Sequence, residues 1–235
     1  MKQTIIYDGL NLEVFGVYFD GSREFNKPAK EMERVSIPGR NGDLFIPRNR
    51  WANLPLTFNC FINDNFHENY AQLSAFLNSR KGYCVLETSW QPEIYRKAAF
   101  VATLNPSMNQ LNRKGQFTIE FDCKPQRFLK TGTVEQTITS GTSIYNPTHF
   151  DARPLIRIYG NGTVTIGTQT VTVAGNTNSY VDVDCEAMDC FYGSTNLNSK
   201  VTLSGHEFPV LKEGANMITF TDISSVKITP RWWTI

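Results

Sequence analysis

The chain has 235 residues, of which 40% are hydrophobic and 19% charged, with a formal net charge of +1. That composition can bury one large domain or two ordinary ones and is too apolar for a disordered chain. Near-neutrality excludes a protein that grips nucleic acid by neutralising phosphate over its whole surface, while leaving room for a local basic patch.

In chain order, the first elements are short strands broken by turns. Thr4–Tyr7 is apolar, Asp8-Gly9 is a hairpin signal, and Leu10–Phe19 resumes the strand before Asp20-Gly21 turns again. No apolar run reaches the length of a membrane span, and the stretch Met1–Leu10 lacks the apolar region of a secretory signal. Val35-Ser36-Ile37 leads into Pro38-Gly39-Arg40-Asn41-Gly42-Asp43, followed by Leu44-Phe45-Ile46. Two glycines flanking Arg-Asn predict a strand–loop–strand unit whose loop takes positive φ. Leu54, Leu56, Phe58 and Cys60 alternate with polar or small neighbours, which is the period of a strand with one apolar face.

The period then changes. Phe66, Tyr70, Leu73 and Leu77, widened by Phe76, fall on one side of an amphipathic helix. Asn65 is its expected N-cap with Glu68 reaching back in a capping box, and Arg80, Lys81 and Gly82 are the expected stop. Strand signals return at Tyr83–Leu86 and over 94–104. A polar connector is expected over 104–115, and a strand carries Phe117, Ile119, Phe121 and Cys123 on one face. The segment 131–148, rich in Thr, Ser and Gly, reads as the crossing between two domains, 1–131 and 132–235. Beyond it, Leu155–Tyr159, Thr163–Gly167, Thr170–Ala174, Tyr180–Asp184, Lys200–Leu203 and Met217–Phe220 follow at short intervals with Gly and Asn turns, the pattern of a β-sandwich. Residues 226–235 form a last strand that either closes this sandwich or returns to the first domain.

The five cysteines (Cys60, Cys84, Cys123, Cys185, Cys190) contain no CxxC pair, and Cys60 and Cys123 lie on apolar faces. They read as small core hydrophobes in a reduced, intracellularly folded protein. His67, His149 and His206 have no i+3 or i+4 partner, and neither HExxH nor GxSxG occurs. The sequence therefore predicts no enzyme, no cofactor and no metal centre. Asp182, Asp184, Glu186 and Asp189 are the nearest approach to a hard-cation site. Their spacing fits no calcium loop, and a solvated strand face explains them more simply. Trp232 and Trp233 are candidate carbohydrate contacts, although on a strand their rings point to opposite faces. Gly160-Asn161-Gly162 precedes a strand, not a helix, so it is no dinucleotide fingerprint. Arg40, Arg48, Arg50 and Trp51 gather near the glycine loop. They are candidates for pairing with acidic groups of a neighbouring subunit, with a nucleic-acid patch as the other reading.

The segment Ile37-Pro38-Gly39-Arg40-Asn41-Gly42-Asp43-Leu44 resembles the PGRxG loop of siphophage distal tail (Dit) proteins. Phe121-Asp122-Cys123-Lys124-Pro125-Gln126-Arg127-Phe128 resembles the strand and exit that end their N-terminal domain, with a short helix and a long hairpin between. The resemblance covers most of residues 1–130. It implies a mainly β, two-domain protein: an N-terminal β-sandwich or split barrel with one α-helix and a long hairpin, and a C-terminal galectin-like or carbohydrate-module-like sandwich. It also implies a homohexameric hub ring, single or doubled back to back, at the distal end of a virion tail, assembled in the host cytoplasm. Such a ring joins the tail tube protein to the tail-tip or tail-associated lysin protein, with tape measure and receptor-binding proteins as further partners. DNA would pass through it without sequence-specific contact, and no membrane is involved. On this reading Gly39, Arg40, Asn41, Gly42, Arg48, Arg50 and Trp51 belong to a subunit or partner interface. The alternative is a carbohydrate-binding module that aids host-surface adhesion.

Overall fold

The computed structural model describes residues 3–21, 26–104, 106–108 and 113–235. The chain divides into two compact units, residues 1–127 with Ile235, and residues 128–234.

In the first unit the strands are β1 (Ile5–Tyr7), β2 (Leu10–Asn11), β3 (Val17–Phe19), β4 (Lys30–Val35), β5 (Leu44–Trp51), β6 (Leu54–Ile62), β7 (Cys84–Thr88), β8 (Ile94–Phe100), β9 (Ser107–Met108) and β10 (Gly115–Leu129). A helix, α1 (Phe66–Ser79), follows β6. One sheet runs β2-β1-β7-β8-β10-β6-β3, with β9 also on β10. Its centre is the antiparallel pair of β6 and β10, in which Phe117 lies opposite Cys60, Ile119 opposite Phe58 and Phe121 opposite Leu56. Because side chains alternate across a strand, this register gathers all of these residues on one buried face. The helix covers that face with Phe66, Leu73 and Leu77, each almost fully buried. The ring of Tyr70 stacks on Phe66 at 5.1 Å and meets Phe117 edge-on at 5.4 Å. Gly115 is required where sheet and helix meet, since a Cβ there would lie 2.3 Å from the Phe66 ring.

Several local expectations give way to other physics. The segment 10–19 is not one strand: Leu12–Phe15 forms a 3₁₀ turn capped by the Asn11 side chain, and Gly16 ends it in the left-handed region. Asn65 does not cap the helix through its side chain. It sits at φ 49°, a left-handed conformation that turns the chain into the helix, and no capping box forms. The helix stops at Ser79 with Arg80 extended; Gly82 takes φ 70° two residues later, in the link to β7. β8 ends at Phe100, and β10 runs on through Pro125 to Leu129. The pairing of β10 with β6 ends at Cys123 opposite Leu54, so Pro125 lies beyond that ladder, where its missing N–H breaks nothing in it. The expected connector over 104–115 falls partly outside the described residues.

In the second unit a 3₁₀ turn (Lys130–Thr133) precedes β11 (Gln136–Ile138), β12 (Thr142–Asn146), β13 (Leu155–Tyr159), β14 (Gly162–Ile166), β15 (Gln169–Val173), β16 (Val181–Asp184), β17 (Asp189–Tyr192), β18 (Thr195–Asn196), β19 (Val201–Leu203), β20 (Gly214–Thr221), β21 (Ser225–Thr229) and β22 (Trp233–Thr234). Two sheets, β11-β21-β13-β16-β17-β18 and β12-β20-β14-β15-β19, share one core that includes Ile156, Ile158, Val164, Val171, Val183, Ile218, Ile228 and Trp232. This is a mainly β fold with one α-helix among the described residues. The stretch 131–148 is not a bare crossing, since it supplies an outer strand to each sheet. Ile138 and Ile144 are its buried anchors, and Thr and Ser occupy the outward positions. The terminal segment splits at Pro230. β21 lies between β11 and β13 of this unit, while β22 pairs with β10, whose last residues Phe128 and Leu129 belong to it; Leu129 N donates to Trp232 O at 2.9 Å.

All five cysteines are free, and Cys60, Cys123, Cys185 and Cys190 are buried. Burial pushes the thiols of Cys123 and Cys190 up to about 12, and those of Cys60 and Cys185 upward as well.

Phe121 has no exposed surface and touches the rings of Tyr7 (4.8 Å), Phe58 (6.0 Å) and Phe100 (6.1 Å). Phe121→Ala should lower stability by about 3–5 kcal/mol, read as a reduced urea midpoint at unchanged slope.

Candidate functional site

Strands β4 and β5 pair with each other and with no other strand among the described residues. Val35 lies opposite Leu44, Arg34 opposite Phe45, Glu33 opposite Ile46 and Met32 opposite Pro47, with a register shift between Met32 and Lys30. The connection at residues 36–43 turns through Gly39 (φ 77°) and Gly42 (φ 83°), a conformation other residues adopt at a cost, and Arg40 N donates to Ile37 O at 3.1 Å. At the base, Ala52 N donates to Ala29 O at 2.9 Å.

Two arginines of this hairpin are paired within it. Arg48 pairs with Glu33, and Arg50 with Glu31 at 3.2 Å; Arg34 lies 5.2 Å over the Phe45 ring. In the single chain the acidic partners of Arg48 and Arg50 are thus on the facing strand. The set Gly39, Arg40, Asn41, Gly42, Arg48, Arg50 and Trp51 is also not one cluster. The first four are at the tip and Trp51 is at the base opposite Lys30, some ~24 Å away along the strand. Arg40 alone of these arginines has no side-chain partner among the described residues.

The ribbon is exposed along its length, and its apolar side chains with it. Met32 and Phe45 are 50% exposed, Leu44 43% and Ile46 41%. An isolated two-stranded ribbon is marginal in water, its exposed ion pairs add about 0–1 kcal/mol each, and its two free edges invite pairing. Sequence reading treated Leu44-Phe45-Ile46 as an ordinary strand and missed its meaning. The signal was there: three consecutive apolar residues in a strand cannot all face one core.

The other expected groups are placed as follows. His67, His149 and His206 are exposed and far apart in the chain, and His149 bonds Glu213 at 2.7 Å. Of the acidic residues of 182–189 Glu186 is exposed, and the other three are at least partly buried. Asp182 is 4% exposed and takes a two-point bond from Arg157 (2.7 and 2.9 Å), whose guanidinium lies 4.3 Å over Tyr180. Asp184 takes the same fork from Arg231 (2.6 and 2.9 Å) and also accepts the Glu186 and Ala187 amides. Asp189 accepts from the side chains of Asn196 and Asn198, both at 2.8 Å. Each carboxylate is thus committed to its own donors, and among the described residues no three His, Cys, Asp or Glu side chains gather as a metal would require. Trp232 is 3% exposed within the sandwich core, so its ring has no face for a sugar. Trp233 stacks on Phe150 at 4.4 Å and donates Nε1–H to Asp151 O at 2.9 Å.

Solved structures share this mainly β fold with one helix. The crystal structure of the SPP1 Dit (gp 19.1) protein, described as a paradigm of the hub adsorption apparatus in phages infecting Gram-positive bacteria, matches 100% of both chains at TM-score 0.77 and 15% identity. The structure of the phage p2 baseplate in its activated conformation with Sr matches 97% of both chains at TM-score 0.56 and 13% identity. At these identities the likeness is one of fold. No family model matches the chain, and no curated protein matches it.

The Asp184 site makes stability depend on pH. Burial alone would raise its carboxyl, but the bonds from Arg231 and then from the Ala187 and Glu186 amides outweigh that and hold it below the ordinary 3.8. A depressed folded pKa contributes stability that is present above the unfolded value and lost as pH falls through the folded one. Asp184→Asn should therefore cost about 2 kcal/mol at pH 7, with the difference from wild type shrinking below about pH 4 in urea titrations.

Proposed function

We propose that the chain is a structural distal tail protein of a long-tailed bacteriophage, working as a hub ring at the tail tip and not as an enzyme. The observation that carries this reading is the match of the SPP1 Dit fold over the whole of both chains. A closed ring needs a head-to-tail interface whose rotation closes on itself. The hairpin supplies the kind of surface such an interface uses: a ribbon with exposed Met32, Leu44, Phe45 and Ile46, two of its arginines paired internally, and Arg40 at the tip. On this reading Gly39, Arg40, Asn41, Gly42, Arg48, Arg50 and Trp51 belong to the subunit interface: the glycines shape the tip, and Arg48 and Arg50 act as the hairpin's internal braces. On this reading the first unit forms the belt of the ring. The ring is a homohexamer, single or doubled, seated between the tail tube protein and the tail-tip protein, with the tape measure and receptor-binding proteins as further contacts. It works in the virion after assembly in the host cytoplasm.

The alternative, a carbohydrate-binding module, now rests on Trp233 alone, whose ring is already stacked on Phe150. It predicts binding of host wall polysaccharide by the full chain, lost in Trp233→Ala.

Light scattering coupled to size-exclusion chromatography is the test of the hub reading. The expected species is a hexamer or a pair of hexamers. Phe45→Asp and Ile46→Asp should shift it towards monomer by at least tenfold in concentration while leaving the far-ultraviolet spectrum unchanged, since both residues are exposed in the single chain. A wild-type chain that stays monomeric at high concentration and fails to join purified tail-tip proteins refutes the proposal.

A further inference from the structure

Two Asn-Gly steps occur in the chain, Asn41-Gly42 at the tip of the β4–β5 hairpin and Asn161-Gly162 at the start of β14. Such a step has a chemistry of its own. The amide carbon of the asparagine is one short ring closure away from the next residue's backbone nitrogen, and glycine, lacking a Cβ, leaves that nitrogen open to approach. Asn41 and Asn161 are both exposed, so contact with water does not separate them. Their surroundings do.

Asn161 is clamped. Its Nδ2 donates to Asn176 O at 2.9 Å, and its Oδ1 accepts from Asn176 N at 2.7 Å. Gly162 is paired opposite Val173 and packed so closely that a Cβ there would lie 2.3 Å from Thr221 O. Swinging the Asn161 amide towards Gly162 N therefore breaks two hydrogen bonds and presses on neighbouring backbone. The hairpin tip has no such restraint. Residues 40–43 are exposed and lie outside the strands, and the Asn41 side chain makes no hydrogen bond among the described residues. A Cβ on Gly42 would meet no atom within 4 Å.

We propose that Asn41-Gly42 is a self-modification site, at which Asn41 converts to aspartate and isoaspartate in the folded chain while Asn161 is held intact. The reaction needs only water. Gly42 N gives up its proton and attacks Asn41 Cγ; the N–Cγ bond forms, the Cγ–Nδ2 bond breaks, and ammonia leaves with that proton. Water then opens the resulting cyclic imide at one of its two carbonyls. Opening at Cγ gives aspartate, whereas opening at the backbone carbonyl gives isoaspartate, which routes the main chain through the side chain and lengthens it by one carbon. Nothing is oxidised or reduced. Either product places a new negative charge between Arg40 and Asp43. Where the tip is a subunit interface, as the hub reading has it, that surface changes with the age of a free chain; the site itself does not depend on that reading.

The test uses the full chain, incubated folded in buffer and unfolded in guanidinium chloride at the same neutral pH and temperature. Conversion of both asparagines is followed by peptide mass, with isoaspartate separated from aspartate by chromatography. In the unfolded chain both steps are free, and they should react at similar rates. On folding, Asn41 should keep that rate while Asn161 slows by roughly tenfold or more, the effect of breaking two hydrogen bonds to reach the ring. Raising the pH should speed conversion at Asn41, because the attacking nitrogen must lose its proton. A folded chain in which Asn41 is slowed as much as Asn161, or in which Asn161 converts as fast as Asn41, overturns the proposal. Neither result bears on the hub reading, which the oligomeric state decides.

Discussion

The first unit depends on the register between β6 and β10. Nine consecutive residue pairs, from Gly115 opposite Ile62 to Cys123 opposite Leu54, align the apolar positions of both strands on one face. A slip by one residue would turn one strand's set, Phe58 and its neighbours or Ile119 and Phe121, to the solvent and break the face that α1 covers. Everything else in the unit follows from that face. Phe66, Leu73 and Leu77 close it from above, Gly115 permits the close approach, and β7 and β8 extend it. The hairpin stands apart because β4 and β5 have no such pattern: Leu44-Phe45-Ile46 are consecutive, and the two strands pair with no other strand among the described residues.

This contrast explains what could be read in advance. Long regular periods were legible: the alternation over 54–62 and 117–123, the helical stripe of Phe66, Tyr70, Leu73 and Leu77, and the short strands of the sandwich. Failures came where backbone conformation or distant partners decide. Asn65 carries a capping side chain but acts through its left-handed backbone, and Leu12–Phe15 winds into a 3₁₀ turn despite apolar alternation. Asp182 looked solvated until Arg157, 25 residues away, was placed beside it. Pairings over such distances leave no trace in local pattern. The candidate surface was half legible: the glycine loop showed itself, whereas the meaning of Leu44-Phe45-Ile46 appears only once β5 is seen without a covering layer.

In the second unit charge is balanced within the chain along one strand. On β16 Val181 and Val183 belong to the core, and Asp182 and Asp184, on the other side of the strand, are each locked to an arginine by a planar two-point contact, Asp182 to Arg157 and Asp184 to Arg231.

The thiols carry a last consequence. Cys60, Cys123, Cys185 and Cys190 are sealed in the two cores, and their protons are held too tightly for thiolate to form near neutrality. Disulfide exchange and peroxide attack both proceed through the thiolate. Those four side chains are therefore indifferent to the redox potential around them. A protein put together under reducing conditions and then carried into an oxidising medium would keep these cores unaltered, without a cross-link gained or lost in either. Durability of this kind comes from packing that hides the reactive atoms.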